Sequence, residues 1–96
     1  MGEKNEMNIK QALDQYMKRF GLQRKVEEIK LVQLWPEIAG EFIARNTSDL
    51  QVRDRRLIIR VNSSVIKHQL LISRDTIIQR VNQFMEQEYI NDLVLL

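Results

Sequence analysis

Apolar positions keep a helical period to about residue 45, alternate in twos to residue 61, return to helical spacing, and end in a short apolar run. Ile9, Leu13, Tyr16 and Phe20 follow at spacings of 4, 3 and 4, a single stripe on one helix. Asn8 is an N-cap residue type, and Gln11 three positions on completes a capping-box pattern. Lys18 and Arg19 fall in the last turn, where cations suit the helix dipole, and Gly21 suits the left-handed residue that ends a helix. Tyr16 and Phe20 are expected in the core. Residues 1–7 are polar and read as a flexible N-terminus, which leaves 8–96 as a single domain.

A second helix is predicted through Leu22, Val26, Ile29, Val32 and Trp35. Pro36 has no N–H to donate and disfavours a helical residue before it, so a kink or restart is expected there. Ile38, Ala39, Phe42 and Ile43 resume helical spacing to about Arg45, and Asn46, Thr47 and Ser48 read as an exit loop. Trp35 sits on the apolar stripe and is expected in the core rather than as a platform for stacked bases.

Alternation then predicts a hairpin. Leu50 and Val52 face one way on its first strand, Leu57, Ile59 and Val61 on its second. A two-residue turn at Asp54-Arg55 would set Val52 opposite Leu57, Leu50 opposite Ile59 and Asp49 opposite Arg60, but also Arg53 opposite Arg56, a like-charge pair that costs some tenths of a kcal/mol. Either the loop is longer than two residues or an anion relieves the repulsion; with no Gly or Asn where a primed turn wants one, the longer loop is the expectation. From Ser63 the 3.6 period returns. Ile66, Leu70, Ile77, Val81 and Phe84 form a stripe, predicting one long helix to about Gln87, roughly 36 Å at 1.5 Å per residue. Ile90 to Leu96 reads as a short strand parallel to the second strand after a helical crossover. The fold class is therefore α+β in the order ααββαβ.

Composition narrows the chemistry. The 96 residues contain no Cys, one His and three Gly, so disulfides, thiolate chemistry, thiolate zinc sites and Gly-rich phosphate loops are excluded. No His/Asp/Glu cluster has metal-ligand spacing, no cofactor or small-molecule substrate is implied, and the protein is expected not to be an enzyme. No secretory signal or membrane-length apolar run is visible, and the absence of Cys is compatible with the cytoplasm. The formal charge of +2 is unevenly spread. Residues 1–44 balance, 45–80 hold eight basic against three acidic side chains, and 81–96 carry three acidic ones. A basic middle suits an anionic partner.

Arg53, Arg56 and Arg60 share one strand face, with Arg55 at the turn and Lys67 on the following helix. Arg at all four hairpin positions, rather than Lys, favours bidentate contact with phosphate. Arg45, Ser63, Ser64 and His68 are secondary candidates. Asn62-Ser63-Ser64 is a capping sequence whose helix N-terminus could also meet an anion. His68 reads first as a surface or partly buried side chain. A solvated sheet face is the plain alternative for the arginines.

Trp35-Pro36-Glu37-Ile38-Ala39-Gly40, Ile43-Ala44, Thr47, the hairpin, and Asn62-Ser63-Ser64-Val65 with His68-Gln69-Leu70 together resemble the DciA-like family over nearly the whole chain, most closely its short bacterial versions. The resemblance implies a bacterial, cytoplasmic, KH-like domain: a three-stranded sheet with helices on one face. It further implies binding to DNA or RNA, association with the replicative helicase whose loading the family assists, and no ATPase activity. The chain lacks the Gly-rich loop of ordinary KH domains and the Cys of any zinc ribbon, and carries Val65 where many relatives have Trp. The expected function is a non-catalytic nucleic-acid-binding adaptor contacting phosphates through Arg53, Arg55, Arg56, Arg60 and Lys67. The alternative is a protein-interaction module that binds helicase or another partner without nucleic acid.

Overall fold

The capping box expected at Asn8 is formed: the Gln11 backbone N–H donates to Asn8 Oδ1 at 2.8 Å, and the Asn8 N–H donates to Gln11 Oε1 at 3.2 Å. It opens α1 (Ile9–Arg19) in a computed structural model that describes residues 8–96. The expectation for residues 1–7 lies outside the described residues. Phe20 and Gly21, the latter left-handed at φ +70°, connect α1 to α2 (Leu22–Ala39).

Three elements depart from the sequence reading at their ends. The second helix does not restart at Pro36 but continues through it and stops at Gly40. Pro36 forfeits one backbone hydrogen bond, but an unbroken helix keeps Leu31, Trp35 and Ile38 on one buried stripe. Gly40, at φ +94° and ψ 153°, adopts a conformation nearly confined to glycine, and α3 (Glu41–Arg45) restarts from it. The first strand, β1 (Thr47–Arg53), begins inside the expected exit loop. Thr47 is drawn into the strand because its hydroxyl donates to the Ile43 carbonyl at 2.7 Å and accepts from the Trp35 indole N–H at 3.0 Å. A bulge between Thr47 and Asp49 then restores the alternation.

The turn to β2 (Arg56–Val61) has two residues, not the longer loop expected. Asp54 (φ +52°) and Arg55 (φ +63°) both take the left-handed conformation that a primed turn requires. Asp tolerates that region better than most residues, and Arg55 is held by its surroundings. Its guanidinium donates to the Glu88 carbonyl at 2.9 Å, and its own carbonyl accepts from the Asn91 N–H at 2.8 Å. The register is otherwise the expected one, with Val52 opposite Leu57, Leu50 opposite Ile59, Asp49 opposite Arg60 and Arg53 opposite Arg56.

The expected long helix is two, α4 (Ser64–Ile72) and α5 (Arg74–Met85), parted at Ser73. Ile66 and Leu70 of α4 pack toward β2, whereas Ile77, Val81 and Met85 of α5 pack toward α2 and β3 (Asp92–Leu95). One straight helix could not face both sets, and Ser73, whose hydroxyl competes for backbone groups, is a poor interior residue. β3 pairs parallel to β2 as expected, giving a mixed sheet in the order β1-β2-β3. The helices supply one side of the core; Val52, Leu57, Ile59, Val61 and Leu93 supply the other.

Two side chains fix α5 in this layer. Arg80 donates to the carbonyls of Ile38 and Glu37, both at 2.9 Å, so a cation satisfies acceptors left free at the end of α2. The Asn82 amide accepts from the N–H groups of Tyr89 and Ile90 and donates to the Ile90 carbonyl, shaping the chain into β3.

The largest correction concerns α1. Tyr16 and Phe20 are not core residues but 56% and 59% exposed, and no α1 side chain is buried. The core begins only at Leu31. The described chain extends 60 × 22 × 22 Å with a radius of gyration of 16.3 Å, well above the ~13 Å of a compact domain of this length. A helix must have something to pack on to be buried, and among the described residues the main neighbour of α1 is α2.

Two expected outcomes follow from this architecture. Thr47→Val, nearly isosteric, strands the buried indole N–H of Trp35 and should destabilise the fold by about 1–3 kcal/mol, measured as a lower urea midpoint. Glu86 ends α5 at φ +59°. Glu86→Gly removes both the left-handed penalty and an anion at a helix C-terminus, and should stabilise by about 1 kcal/mol. A lower urea midpoint for the glycine variant would contradict that reading.

Candidate nucleic-acid interface

The face of the sheet turned away from the helices is read from the strand register as three cross-strand rows. Arg53, Arg56 and Asp92 form the row beside the turn, Gln51, Ile58 and Val94 the middle row, and Asp49 and Arg60 the far row. Arg53, Arg56 and Arg60 are exposed, and no helix lies over them. Sequence reasoning therefore placed these three arginines on one open face.

The carboxylates among them reshape the expected patch. Asp92 lies 3.9 Å from the Arg56 guanidinium and also pairs with Arg74 at the start of α5. Asp49 sits opposite Arg60 and accepts from the Gln51 amide at 2.9 Å. Arg53 and Arg60 make no ion pair among the described residues. Positive charge is therefore densest beside the turn, where Arg53, Arg55, Arg56 and Arg74 surround Asp54 and Asp92.

A second feature of that end was not legible in the sequence. An open cleft of about 590 Å³ lies between α2 and the hairpin turn, lined by Arg24, Glu27, Arg53, Arg55 and Tyr89 among others. Arg24 itself precedes the hairpin by more than twenty residues, and no spacing rule connects it to the turn. The Tyr89 hydroxyl is buried with no hydrogen-bond partner among the described residues. Burial, with Glu27 and Glu28 nearby, pushes its pKa up to about 12, so it remains a proton donor across the ordinary range.

The remaining candidates lie elsewhere. Arg45 is exposed at the end of α3, close to the far row, because the next residue's carbonyl, Asn46, accepts from the Asn62 N–H at 3.0 Å. Ser63 caps α4: its hydroxyl accepts from the N–H groups of Val65 at 3.2 Å and Ile66 at 3.4 Å. The Lys67 N–H is also used, by the Ser63 carbonyl at 3.0 Å. The junction thus spends on its own cap most of the donors that an anion would need. Ser64 is exposed as the first residue of α4, Lys67 is half-buried and His68 exposed. All three belong to the helical layer, not to the open sheet face. No group of three or more His, Asp or Glu able to hold a metal occurs among the described residues, and none of their helices is long and apolar enough to cross a membrane.

Taken together, these elements define a small ααββαβ domain with helices on one side of a mixed sheet and an arginine-bearing face on the other. The chain matches the family model described as "Dna[CI] antecedent, DciA" over residues 8–95, and it belongs to that family. The family is associated with the replicative helicase and its loading, and is not a known catalytic one. None of the curated proteins matches the chain.

Titration should report the local charges directly. The Leu93 N–H at 2.8 Å, then the Arg74 guanidinium, then the charge of Arg56, hold the Asp92 carboxyl below the ordinary aspartate range. A depressed folded-state pKa contributes stability above the unfolded value of about 3.9, lost as pH falls through the lower folded value. Asp92→Asn should therefore flatten the acid limb of thermal stability against pH, and carboxyl NMR should place the Asp92 midpoint below that of an unfolded aspartate. In a Tyr16→Phe background the single remaining tyrosine, Tyr89, should ionise near pH 12 by ultraviolet difference spectroscopy. An ordinary midpoint there would contradict the buried hydroxyl.

Proposed function

We propose that the domain is a non-catalytic nucleic-acid-binding adaptor that serves the replicative helicase, in the cytoplasm of a bacterial cell. Phosphates meet Arg53, Arg55, Arg56 and Arg60 on the hairpin, with Arg24 and Arg74 adding charge beside the turn and Lys67 at the margin. The observation that carries this reading is the pairing of Arg53 directly opposite Arg56 on an open face. Like charges so placed are unfavourable by some tenths of a kcal/mol, and a phosphate between two guanidinium groups turns that repulsion into bidentate attraction. Arg56 and Arg60 are four residues apart along β2, about 13 Å, so the face offers guanidinium groups at two separate places along one strand.

The second reading is a protein-interaction module without nucleic acid, and the carboxylates Asp49, Asp54 and Asp92 among the arginines favour it. The two separate in one set of measurements. If four phosphates are contacted, affinity for DNA or RNA should fall about a hundredfold between roughly 50 and 200 mM salt. Arg53→Glu with Arg60→Glu should remove at least about tenfold of the binding and flatten the salt slope by about two contacts, with urea stability unchanged. Binding indifferent to both salt and charge reversal would overturn the proposal. Retention of purified helicase by the charge-reversed variant would favour the second reading.

A further inference from the structure

The exposed apolar surface of the molecule is concentrated on α1 and the first half of α2. Ile9, Leu13, Tyr16 and Phe20 on α1, and Leu22, Val26, Ile29 and Val32 on α2, are each between 42% and 78% exposed. A monomer rarely exposes a contiguous apolar patch of this kind without a partner for it. An isolated helix shorter than about 12–15 residues is marginal in water, and α1 has 11 residues, none of them buried, with α2 as its main neighbour among the described residues. The two stripes match: one runs at spacings of 4, 3 and 4, the other at 4, 3 and 3, over nearly equal lengths of helix.

We propose that two copies of this chain exchange their α1 helices, each α1 lying antiparallel along the exposed half of the other copy's α2. In that arrangement Tyr16 meets Val26 of the second copy, Leu13 meets Ile29, and Ile9 meets Val32. The connection favours exchange over closure within one chain. Only Phe20 and Gly21 separate the helices, at the short end of the two to eight residues usual between packed helices, and a hinge too short to let α1 fold back favours swapping. The eight side chains, counted on both copies, offer each partner several hundred Å², on the order of the ~800 Å² per partner of a stable interface. An isologous pairing buries both stripes at once about a two-fold axis. The arginine face of the sheet is not involved, so the inference stands independently of the nucleic-acid reading.

The test uses the full chain, which has no native cysteine to interfere. Leu13→Cys and Ile29→Cys in one chain, oxidised at low micromolar concentration, should give a disulfide-linked dimer on non-reducing gels. Mixing the two single-cysteine chains should give the heterodimer. Light scattering of the unaltered protein should give twice 11.5 kDa, and Leu13→Glu should return it to one copy while leaving the urea midpoint of the core unchanged. A fast-migrating, internally linked monomer would show that α1 closes on its own α2 and overturn the proposal. So would a single-copy mass at tens of micromolar, including one in which the stripe captures helicase instead.

Discussion

The hydrogen bond from the Trp35 indole to Thr47 holds the two halves of this fold in register. Trp35 is on the helix that carries the first core side chains, and Thr47 is the first residue of the sheet. The threonine hydroxyl passes the connection on to the Ile43 carbonyl, so helix, restart and strand meet at one oxygen. Burying an indole without that acceptor would leave an orphan donor, and the bulge after Thr47 exists because the strand must start there. From this point the hairpin runs outward to its turn, and the open face takes its orientation. Arg80 on α2's last carbonyls and Asn82 at the entry to β3 repeat the same device, a polar side chain closing a gap between elements that apolar packing alone would leave loose.

Much of the fold was legible because it rests on local chemistry. The Asn8–Gln11 cap, the hairpin register and the parallel return of the last strand follow from spacing and residue type, whereas of the stripe read along α2 only Trp35 is buried, and Leu22, Val26, Ile29 and Val32 face outward. What was not legible depends on relations between distant elements. Pro36 was given too much weight, because its lost hydrogen bond is small beside the burial of Leu31, Trp35 and Ile38 on a continuous helix. The two-residue turn uses Asp54 and Arg55 in left-handed conformations that their own preferences oppose, held by contacts to Glu88 and Asn91 more than thirty residues on. The break at Ser73 reflects two packing partners that no single stripe reveals. Tyr16 and Phe20 were assigned to the core because periodicity shows that a face is apolar without showing what covers it.

The candidate site divides in the same way. That Arg53, Arg56 and Arg60 share a face follows from alternation, and the family membership of the chain gives that face a context in helicase loading. The neutralising roles of Asp92 and Asp49, and the arrival of Arg24 and Arg74, follow only from the assembled sheet and helices. The Asn62-Ser63-Ser64 junction proves to be chiefly structural, since Ser63 and the first turn of α4 consume each other's hydrogen-bonding groups. Basic character is thus displaced from the middle of the chain, where counting placed it, to one end of the sheet.

The projecting arm has a hydrodynamic consequence. A body nearly three times as long as it is wide meets more friction than a sphere of equal mass, so a single copy diffuses slowly and elutes early from a sizing column. Exchange of the arms would fold that length back alongside a second copy. The paired molecule would then be heavier yet rounder, and its friction would rise less than its mass. Sedimentation and elution volume would move by different proportions, and their ratio reports where α1 lies.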